Sequence, residues 1–269
     1  MKKTLVYFIL LVGAAISLLP FLWMAAASFT APENMFSSQL MPQKFTLQNY
    51  VALFKAADFL RFFLNSSLVA VITVLLGLFF DALAGFAFAK YRFPGRNGLF
   101  VIVLATLMIP SQITLIPSYI ILSKLGLVNT LTGIIISAVV SAFGIFLMRQ
   151  YIRDAIPDEL IEAARIDGHS EISIFFRIIL PLARPALGAL AIFRFLASWN
   201  NYLWPLIVLN DPAKFTLPVG IAMLQGAYGT PIWGLQMAGA LLATLPVLIL
   251  FLFFQRYFIS GISLGAVKE

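Results

Sequence analysis

The stretch EAARIDGHSEISIFFRIILP, residues 162–181, is a charged and helix-breaking interruption in a chain that is otherwise strongly apolar. The chain has 269 residues, of which 61% are hydrophobic and 11% are charged, whereas a soluble domain is about half apolar and about a quarter charged. Because such a chain cannot shield its apolar side chains from water by folding on itself, a lipid bilayer is the solvent that fits. Segments in lipid must satisfy their own backbone hydrogen bonds, so we predict an all-α, polytopic membrane protein.

The composition also excludes several kinds of site. The chain has no cysteine, which rules out disulfides, iron–sulfur clusters and cysteine–zinc sites. With a single histidine, His169, we expect no metal site, and no nucleophile–base pair indicates catalysis. The net charge of +7 is scattered between apolar stretches, which favours basic cytoplasmic loops over nucleic-acid binding.

Six apolar stretches are long enough to cross a bilayer as helices, which takes about 20 residues. We predict spans at residues 4–28, 62–89, 99–122, 131–151, 182–209 and 232–257, within one transmembrane domain that covers residues 1–269. The first apolar run is longer than the core of about 7–15 residues in a secretory signal, so we interpret it as a span, with a removed signal as the alternative. Short surface helices are predicted around residues 47–57 and 217–225, and kinks are predicted at Pro110, Pro117, Pro205 and Pro246.

The basic residues predict the orientation of the spans. If the N-terminus lies inside the cell, the outside segments hold only Lys44, Lys55, Arg61, Lys124 and Lys214 of the 18 Lys and Arg residues, and Arg194 lies within a span. Cytoplasmic loops carry an excess of Lys and Arg. The bias therefore places both termini and the loop at residues 152–181 in the cytoplasm.

The loop at residues 152–181 predicts a helix–turn–helix. Pro157 suits a first helical turn, where its missing N–H costs nothing, and acidic residues follow it at the positive end of the helix dipole. The spacing places Leu160, Ala163, Ala164 and Asp167 on one face, where the small side chains of Ala163 and Ala164 would let another surface approach closely. Gly168 predicts a left-handed stop, and Ser170 predicts the N-cap of a second helix that Pro181 ends.

The loop also resembles a known family. The run Glu162-Ala163-Ala164, Gly168, Ile178 and Leu180-Pro181 matches the EAA loop of ABC importer permeases at every spacing. Four further stretches resemble the carbohydrate-uptake branch, which includes the smaller permease subunit of the maltose importer. They are YRFPGRNG (residues 91–98), MIPSQITLIPSY (108–119), SWNNYLWPL (198–206) and QRYFISGISLGAVKE (255–269). The resemblance covers essentially the full length of the chain.

This resemblance implies that the first helix of the loop is a coupling helix, which seats in a groove of a separate ATPase subunit. Glu162 would then pair with a basic residue of the ATPase, Gly168 would form the bend, and Arg165 and Asp167 would form a polar rim. The alternative from the residues alone is a solvated connector. The family's C-terminal tail also reaches the ATPase subunits, which implies contacts by Gly261, Gly265 and Lys268, and a frayed end is the alternative.

The chain lacks the phosphate loop G-x-x-x-x-G-K-[ST], so we expect no enzyme here and expect ATP and Mg²⁺ to be bound by the partner ATPase. The resemblance implies the cell (inner) membrane of a bacterium or archaeon as the location. The implied partners are a homologous second permease, two ATPase subunits, an extracytoplasmic solute-binding protein, membrane lipid and a sugar or sugar-like substrate, with no nucleic acid.

Polar residues within spans are the candidates for the substrate path, because they are costly in lipid. Asn200, Asn201, Tyr202 and Trp204 offer amides and aromatic faces that suit a sugar, and an interfacial aromatic belt is the alternative. Asp81 and Arg194 are charges within spans, and the open readings are an ion pair, a water-filled cavity or a snorkelling arginine.

Two rival functions remain open at this point. A secondary carrier without an ATPase needs an acid within the spans, and only Asp81 is a credible one. An importer of glycerol 3-phosphate or another non-sugar solute would share the loop.

Overall fold

The computed structural model describes residues 2–31, 45–56, 58–224 and 232–263, and these residues form helices and turns with no strand. The α-helices are α1 Lys2–Ser28, α2 Gln48–Ala56, α3 Phe59–Lys90, α4 Arg96–Thr106, α5 Ser111–Lys124, α6 Leu131–Ala138, α7 Ala142–Ala155, α8 Asp158–Ile166, α9 Glu171–Ile174, α10 Leu180–Leu182, α11 Arg184–Trp199, α12 Leu203–Val208, α13 Leu217–Ala222 and α14 Trp233–Ser263. A π-turn, Phe175–Ile179, joins α9 to α10, and a 3₁₀ turn covers Pro212–Lys214. The surface helix predicted around residues 47–57 is confirmed as α2.

The apolar helices fit a polytopic membrane protein. Three are long and apolar enough to cross a bilayer alone, at Lys3–Ser28, Phe59–Lys90 and Trp233–Phe253. Three further pairs reach that length only together, because each is bent at a short break. If each pair counts as one span, the described part of the chain holds up to six spans, which is the number expected from the sequence. The bounds of the fifth differ: the third pair joins Glu171–Leu182 to Arg184–Trp199, whereas the stretch predicted at residues 182–209 is divided into α11 and α12.

The largest break divides the third predicted span, residues 99–122. The axes of α4 and α5 differ by 103°, and Pro110 stands immediately before α5 with extended backbone angles. A proline has no N–H to donate into the preceding turn, so a helix cannot run through it without losing a hydrogen bond. The kink predicted at Pro110 is confirmed, and it is large enough to make two helices of that stretch.

The chain forms two compact units. The first comprises Met1–Leu64 and Phe215–Leu248. Here the buried amide of Asn49 on α2 donates to the carbonyl oxygens of Ser28 (2.9 Å) and Thr30 (2.8 Å), at the end of α1 and just beyond it. The last carbonyls of a helix have no partner within the helix, so this amide both satisfies them and attaches α2 to α1.

The second unit comprises Asn65–Lys214 and Ile249–Glu269, and it contains the loop at residues 152–181. Its apolar core joins the end of α3 to α7, to the loop and to the start of α11. The buried members are Ala82, Phe86, Met148, Ile152, Ile156, Ile161, Ala164, Ile174, Phe175, Ile179, Ala183, Ala186 and Leu190. At Gly85 the helices are so close that a Cβ would lie 2.6 Å from the Cβ of Met148. The loop is therefore packed onto the ends of its neighbouring helices.

Candidate functional site

The first helix of the loop, α8, begins and ends where the sequence predicts. Pro157 is its N-cap, and Asp158 and Glu159 occupy the first turn. The helix ends at Ile166 with Asp167 as its C-cap, and Gly168 follows with a φ of 83°, which lies in the left-handed region. The N–H of His169 donates to the carbonyl of Ala164 at 3.0 Å, so the turn satisfies one of the last carbonyls of the helix. The predicted left-handed stop is confirmed.

The two faces of α8 differ in exposure. Ile161 and Ala164 are buried in the core of the second unit, while Glu162 and Ala163 are exposed and Ile166 is 86% exposed. Residues three apart share a face of a helix, so the burial of Ile161 turns Ala164 inward. The grouping of Ala164 with Ala163 on one outer face is therefore wrong. Only the small side chain of Ala163 is presented outward.

The second helix of the loop has the predicted start and a different end. The hydroxyl of Ser170 accepts a hydrogen bond from the N–H of Ser173, which confirms it as the N-cap. The sequence predicts an end at Pro181, but the helix continues to Leu182 and bends by 79° into α11. Pro181 lies in the first turn of α10, directly after the π-turn, where a missing N–H is tolerated.

Polar contacts attach both helices of the loop to the end of α3. The ammonium of Lys90 donates to the carbonyl of Ile156 and pairs with the carboxylate of Asp158. The hydroxyl of Tyr91 donates to the carboxylate of Glu171, as does the guanidinium of Arg165 at 2.7 Å and 3.3 Å. These polar contacts lie outside the apolar core and attach the loop to the end of α3 in addition to it.

The protonation of this network follows from its geometry. Burial and the hydrogen bond to Glu171 raise the pKa of Tyr91 to about 12. The hydrogen bond from Arg165, followed by that from Tyr91, lowers the pKa of the Glu171 carboxyl. Sequence reasoning missed Lys90, Tyr91 and Glu171 as a group, because the residues that join are far apart in the chain. The expected rim residue Arg165 is engaged within this network, and Asp167 is exposed.

The two charges within the spans form an ion pair. Nε of Arg194 on α11 donates to Oδ2 of Asp81 on α3 at 2.9 Å, and Nη2 contacts the same oxygen. The side chains are 7% and 0% exposed. The pairing hypothesis is confirmed.

This ion pair also supplies hydrogen-bond partners for the backbone at the break in the fourth span. Between α6 and α7, which are bent by 42°, the N–H of Ser141 donates to Oδ1 of Asp81 at 3.1 Å. Nη1 of Arg194 donates to the carbonyl of Ala138 at 2.9 Å. Backbone groups freed by a break in lipid need partners, and the ion pair supplies one for each side of this break.

Two glycines make room for the pair. A Cβ on Gly77 of α3 would overlap the guanidinium of Arg194, and a Cβ on Gly144 of α7 would overlap the carboxylate of Asp81. Sequence reasoning missed both glycines, because a glycine in an apolar run gives no sign of the neighbour that it admits.

The candidate substrate-path residues lie around the turn between α11 and α12. Asn200 and Tyr202 are exposed, and the side-chain oxygen of Asn201 accepts the backbone N–H of Trp204 at 3.4 Å. The indole N–H of Trp204 is buried without a protein partner. Of the tail residues, Gly261 lies in α14, while Gly265 and Lys268 lie outside the described residues. The described residues contain no group of three or more His, Asp or Glu side chains that could hold a metal ion.

A change at Gly168 measures the strain of the turn after α8. A Cβ there would meet no atom within 4 Å, so Gly168→Ala adds only the cost of a left-handed backbone, about 1–2 kcal/mol. Gly126, between α5 and α6, has a φ of 68° and equally open surroundings, which makes Gly126→Ala the matched control. We expect both variants to lose similar thermal stability in detergent. An unchanged melting temperature for Gly168→Ala would show that the left-handed backbone at this turn costs nothing.

Comparison with known proteins agrees with this architecture. The sequence model of the family described as "Binding-protein-dependent transport system inner membrane component" matches residues 81–264. The arabinooligosaccharides transport system permease protein AraQ of Halalkalibacterium halodurans is 42% identical over 260 residues, which are 95% of this chain and 92% of that protein. The lactose transport system permease protein LacG of Rhizobium radiobacter is 36% identical, over 97% of this chain and 95% of that protein. The trehalose/maltose transport system permease protein MalG of Thermococcus litoralis is 35% identical, over 100% and 98%.

A solved structure shares the fold. A chain in the crystal structure of a bacterial ABC transporter involved in the import of the acidic polysaccharide alginate superposes with a TM-score of 0.84. The superposition covers 96% of both chains at 23% identity.

Proposed function

This chain belongs to the family of inner membrane components of binding-protein-dependent transport systems, and we propose that it carries a sugar or sugar-like solute inward, driven by ATP. It is a permease subunit of an ABC transporter and not an enzyme. We infer that ATP and Mg²⁺ are bound by two separate ATPase subunits, and that a homologous second permease completes the membrane part. The rival reading as an ATP-independent carrier is not favoured by these relatives.

The observation that carries the coupling proposal is the outer face of α8. Its inner face is fixed to the core by Ile161 and Ala164, while Glu162, Ala163 and Ile166 face outward. This face combines a carboxylate, a small side chain and an exposed isoleucine, which suits a groove that contains a basic residue. The ATPase is the proposed partner for this face. Glu162 is its proposed charged contact, and Gly168, at the bend, and Pro181 belong to the same coupling loop. The C-terminal tail, with Gly261, Gly265 and Lys268, is proposed to reach the same subunits.

The substrate class rests on the relatives and on the turn after α11. The relatives named above serve arabinooligosaccharide, lactose and trehalose/maltose transport systems. Asn200, Asn201, Tyr202 and Trp204 supply amides and aromatic rings, which suit hydroxyl groups and sugar faces. We propose that an extracytoplasmic binding protein delivers the solute. The positive-inside bias supports a multi-pass arrangement in the cell membrane with both termini in the cytoplasm.

One reconstitution tests the energy source and the solute. The permease pair and ATPase subunits are placed in proteoliposomes, and binding proteins loaded with arabinotriose, lactose, maltose, trehalose or glycerol 3-phosphate are added. We expect sugar-loaded protein to stimulate ATP hydrolysis and uptake. Stimulation by glycerol 3-phosphate alone would refute the sugar assignment, and uptake without ATPase subunits would refute the ATP-driven importer.

Glu162→Ala tests the coupling helix in the same assay. Loss of a charged interface contact costs about 2–5 kcal/mol, so we expect stimulated ATP hydrolysis and uptake to fall at least about tenfold. Asp154→Asn, which removes an exposed carboxylate at the end of α7, is the control and should behave like the unmodified protein. Normal uptake by Glu162→Ala would contradict the coupling role.

A further inference from the structure

The last residue of α3, Lys90, holds the junction between α7 and the coupling helix. Its side chain is only 5% exposed, although lysine is a strongly hydrated cation. Its ammonium is satisfied by the carbonyl of Ile156, where α7 ends, and by the carboxylate of Asp158, where α8 begins. A buried cation with two such partners fixes the position of α8 relative to α3.

The next residue, Tyr91, holds the second helix of the loop. Its hydroxyl donates to Glu171, the first residue of α9, and Glu171 also accepts both hydrogen bonds from Arg165 near the end of α8. The guanidinium carbon of Arg165 lies 5.9 Å from the centroid of the Tyr91 ring. One carboxylate therefore joins α8, α9 and the end of α3.

Apolar contacts lie beneath these polar ones. The ring of Phe86 on α3 meets the rings of Tyr91 at 5.2 Å and Phe175 at 6.0 Å. Ile161 and Ala164 of α8 belong to the same core. Both helices of the loop are thus fixed to α3 by an apolar base and by polar contacts at their starts.

Two short junctions connect the loop to its neighbours along the chain. The loop joins α7 through Ile156 and Pro157, which have extended backbone angles, and it joins α11 through a 79° bend at Ala183. Ile156 and Ala183 are buried in the same apolar core. These junctions therefore connect the loop to α7 and α11, whereas Lys90 and Tyr91 connect it to α3.

We propose that Lys90 and Tyr91 are positioning residues that transmit the displacement of the coupling loop directly to α3. This inference rests on the proposed coupling function. Without the two contacts, the loop moves with the ATPase while α3 lags behind. ATP hydrolysis then continues, but fewer solute molecules cross for each ATP consumed.

The first test measures uptake per ATP hydrolysed in proteoliposomes, with the sugar that the unmodified complex imports. For Lys90→Met combined with Tyr91→Phe we expect a fall of about fivefold or more in this ratio, with ATP hydrolysis largely retained. Lys90→Arg alone keeps the cation and should retain most of the uptake per ATP hydrolysed by the unmodified complex. The matched controls are Arg153→Met, which removes an exposed cation of α7, and Tyr119→Phe, which removes a hydroxyl from α5.

The second test measures movement and uses the absence of native cysteines. Spin labels are attached to Ile172→Cys, an exposed position of α9 outside the proposed ATPase contact, and to Arg92→Cys just beyond α3. With the contacts of Lys90 and Tyr91 intact, the distance between the labels should stay the same when ATP and vanadate trap the complex. With Tyr91→Phe, which keeps the ring packed against Phe86, the trapped distance should shift or broaden.

The outcomes separate this inference from the function on which it rests. A proportional fall in uptake and ATP hydrolysis, or a label distance that Tyr91→Phe leaves unchanged, would overturn the proposed role of Lys90 and Tyr91. The coupling function would still stand if Glu162→Ala lowers stimulated ATP hydrolysis and uptake. Normal transport by Glu162→Ala would instead overturn the coupling function itself. A lower ratio of uptake to ATP hydrolysed, together with a changed label distance, supports the proposed role of Lys90 and Tyr91.

Discussion

Replacing Arg194 with methionine should lower the free energy of unfolding by about 3–5 kcal/mol, because it leaves the Asp81 carboxylate buried without a cation. The change also removes the donor for the carbonyl of Ala138 at the break between α6 and α7. The measurement is thermal or denaturant unfolding in detergent micelles, with membrane yield as a second readout. Arg184→Met, which removes an exposed arginine at the start of α11, is the matched control and should change little.

A double-mutant cycle isolates the pair from other effects. In Asp81→Asn with Arg194→Met, no charge remains buried, so we expect the double variant to be more stable than Arg194→Met alone. The neutral amide that replaces the carboxylate can still accept the N–H of Ser141, which preserves one side of the break. Strictly additive changes would show that the two side chains are not coupled and would remove the ion pair as the support of this break.

Gly144→Ala is the second change with a large expected effect. The new Cβ would overlap the carboxylate of Asp81, so α7 or α3 must shift. Overpacking of a well-packed site costs about 1–3 kcal/mol, and displacement of the ion pair adds to it. We therefore expect loss of stability and of transport together.

Gly98→Ala provides the comparison for this change. Gly98 lies in α4 with no atom within 4 Å of the position that a Cβ would take. An alanine in a helix is favoured over glycine by about 0.5–1 kcal/mol, so this variant should be neutral or slightly stabilised. If Gly144→Ala were equally harmless, the close contact between α7 and Asp81 would not matter for the fold.

Local rules account for what the sequence predicts well. The length of each apolar stretch predicts the spans, because a helix in lipid needs a fixed number of residues. Gly168 and Ser170 predict the turn of the loop, because a left-handed stop and an N-cap depend on one or two residues. Proline shows a limit of such rules, because Pro110 lies at a 103° break while Pro117 and Pro246 lie inside continuous helices. The residue type alone does not predict which proline divides a helix.

Contacts between distant residues are the part that the sequence could not predict. Asp81 and Arg194 are 113 positions apart, and pairing was one of several open readings. Lys90 and Asp158 are 68 positions apart, and nothing in either neighbourhood indicates the other. The prediction for the outer face of α8 was also wrong at Ala164, because helical spacing shows which residues share a face but not which face meets the core.

The π-turn at Phe175–Ile179 sets a strict length for the loop. A π-turn holds one residue more than an α-helical turn. Deleting a residue there would restore ordinary helix but rotate everything before it by about 100° around the axis. Ile174 would then leave the core and Glu171 would turn away from Tyr91. Chimeras that exchange this loop between transporters must therefore conserve its residue count, even where every side chain is allowed to differ.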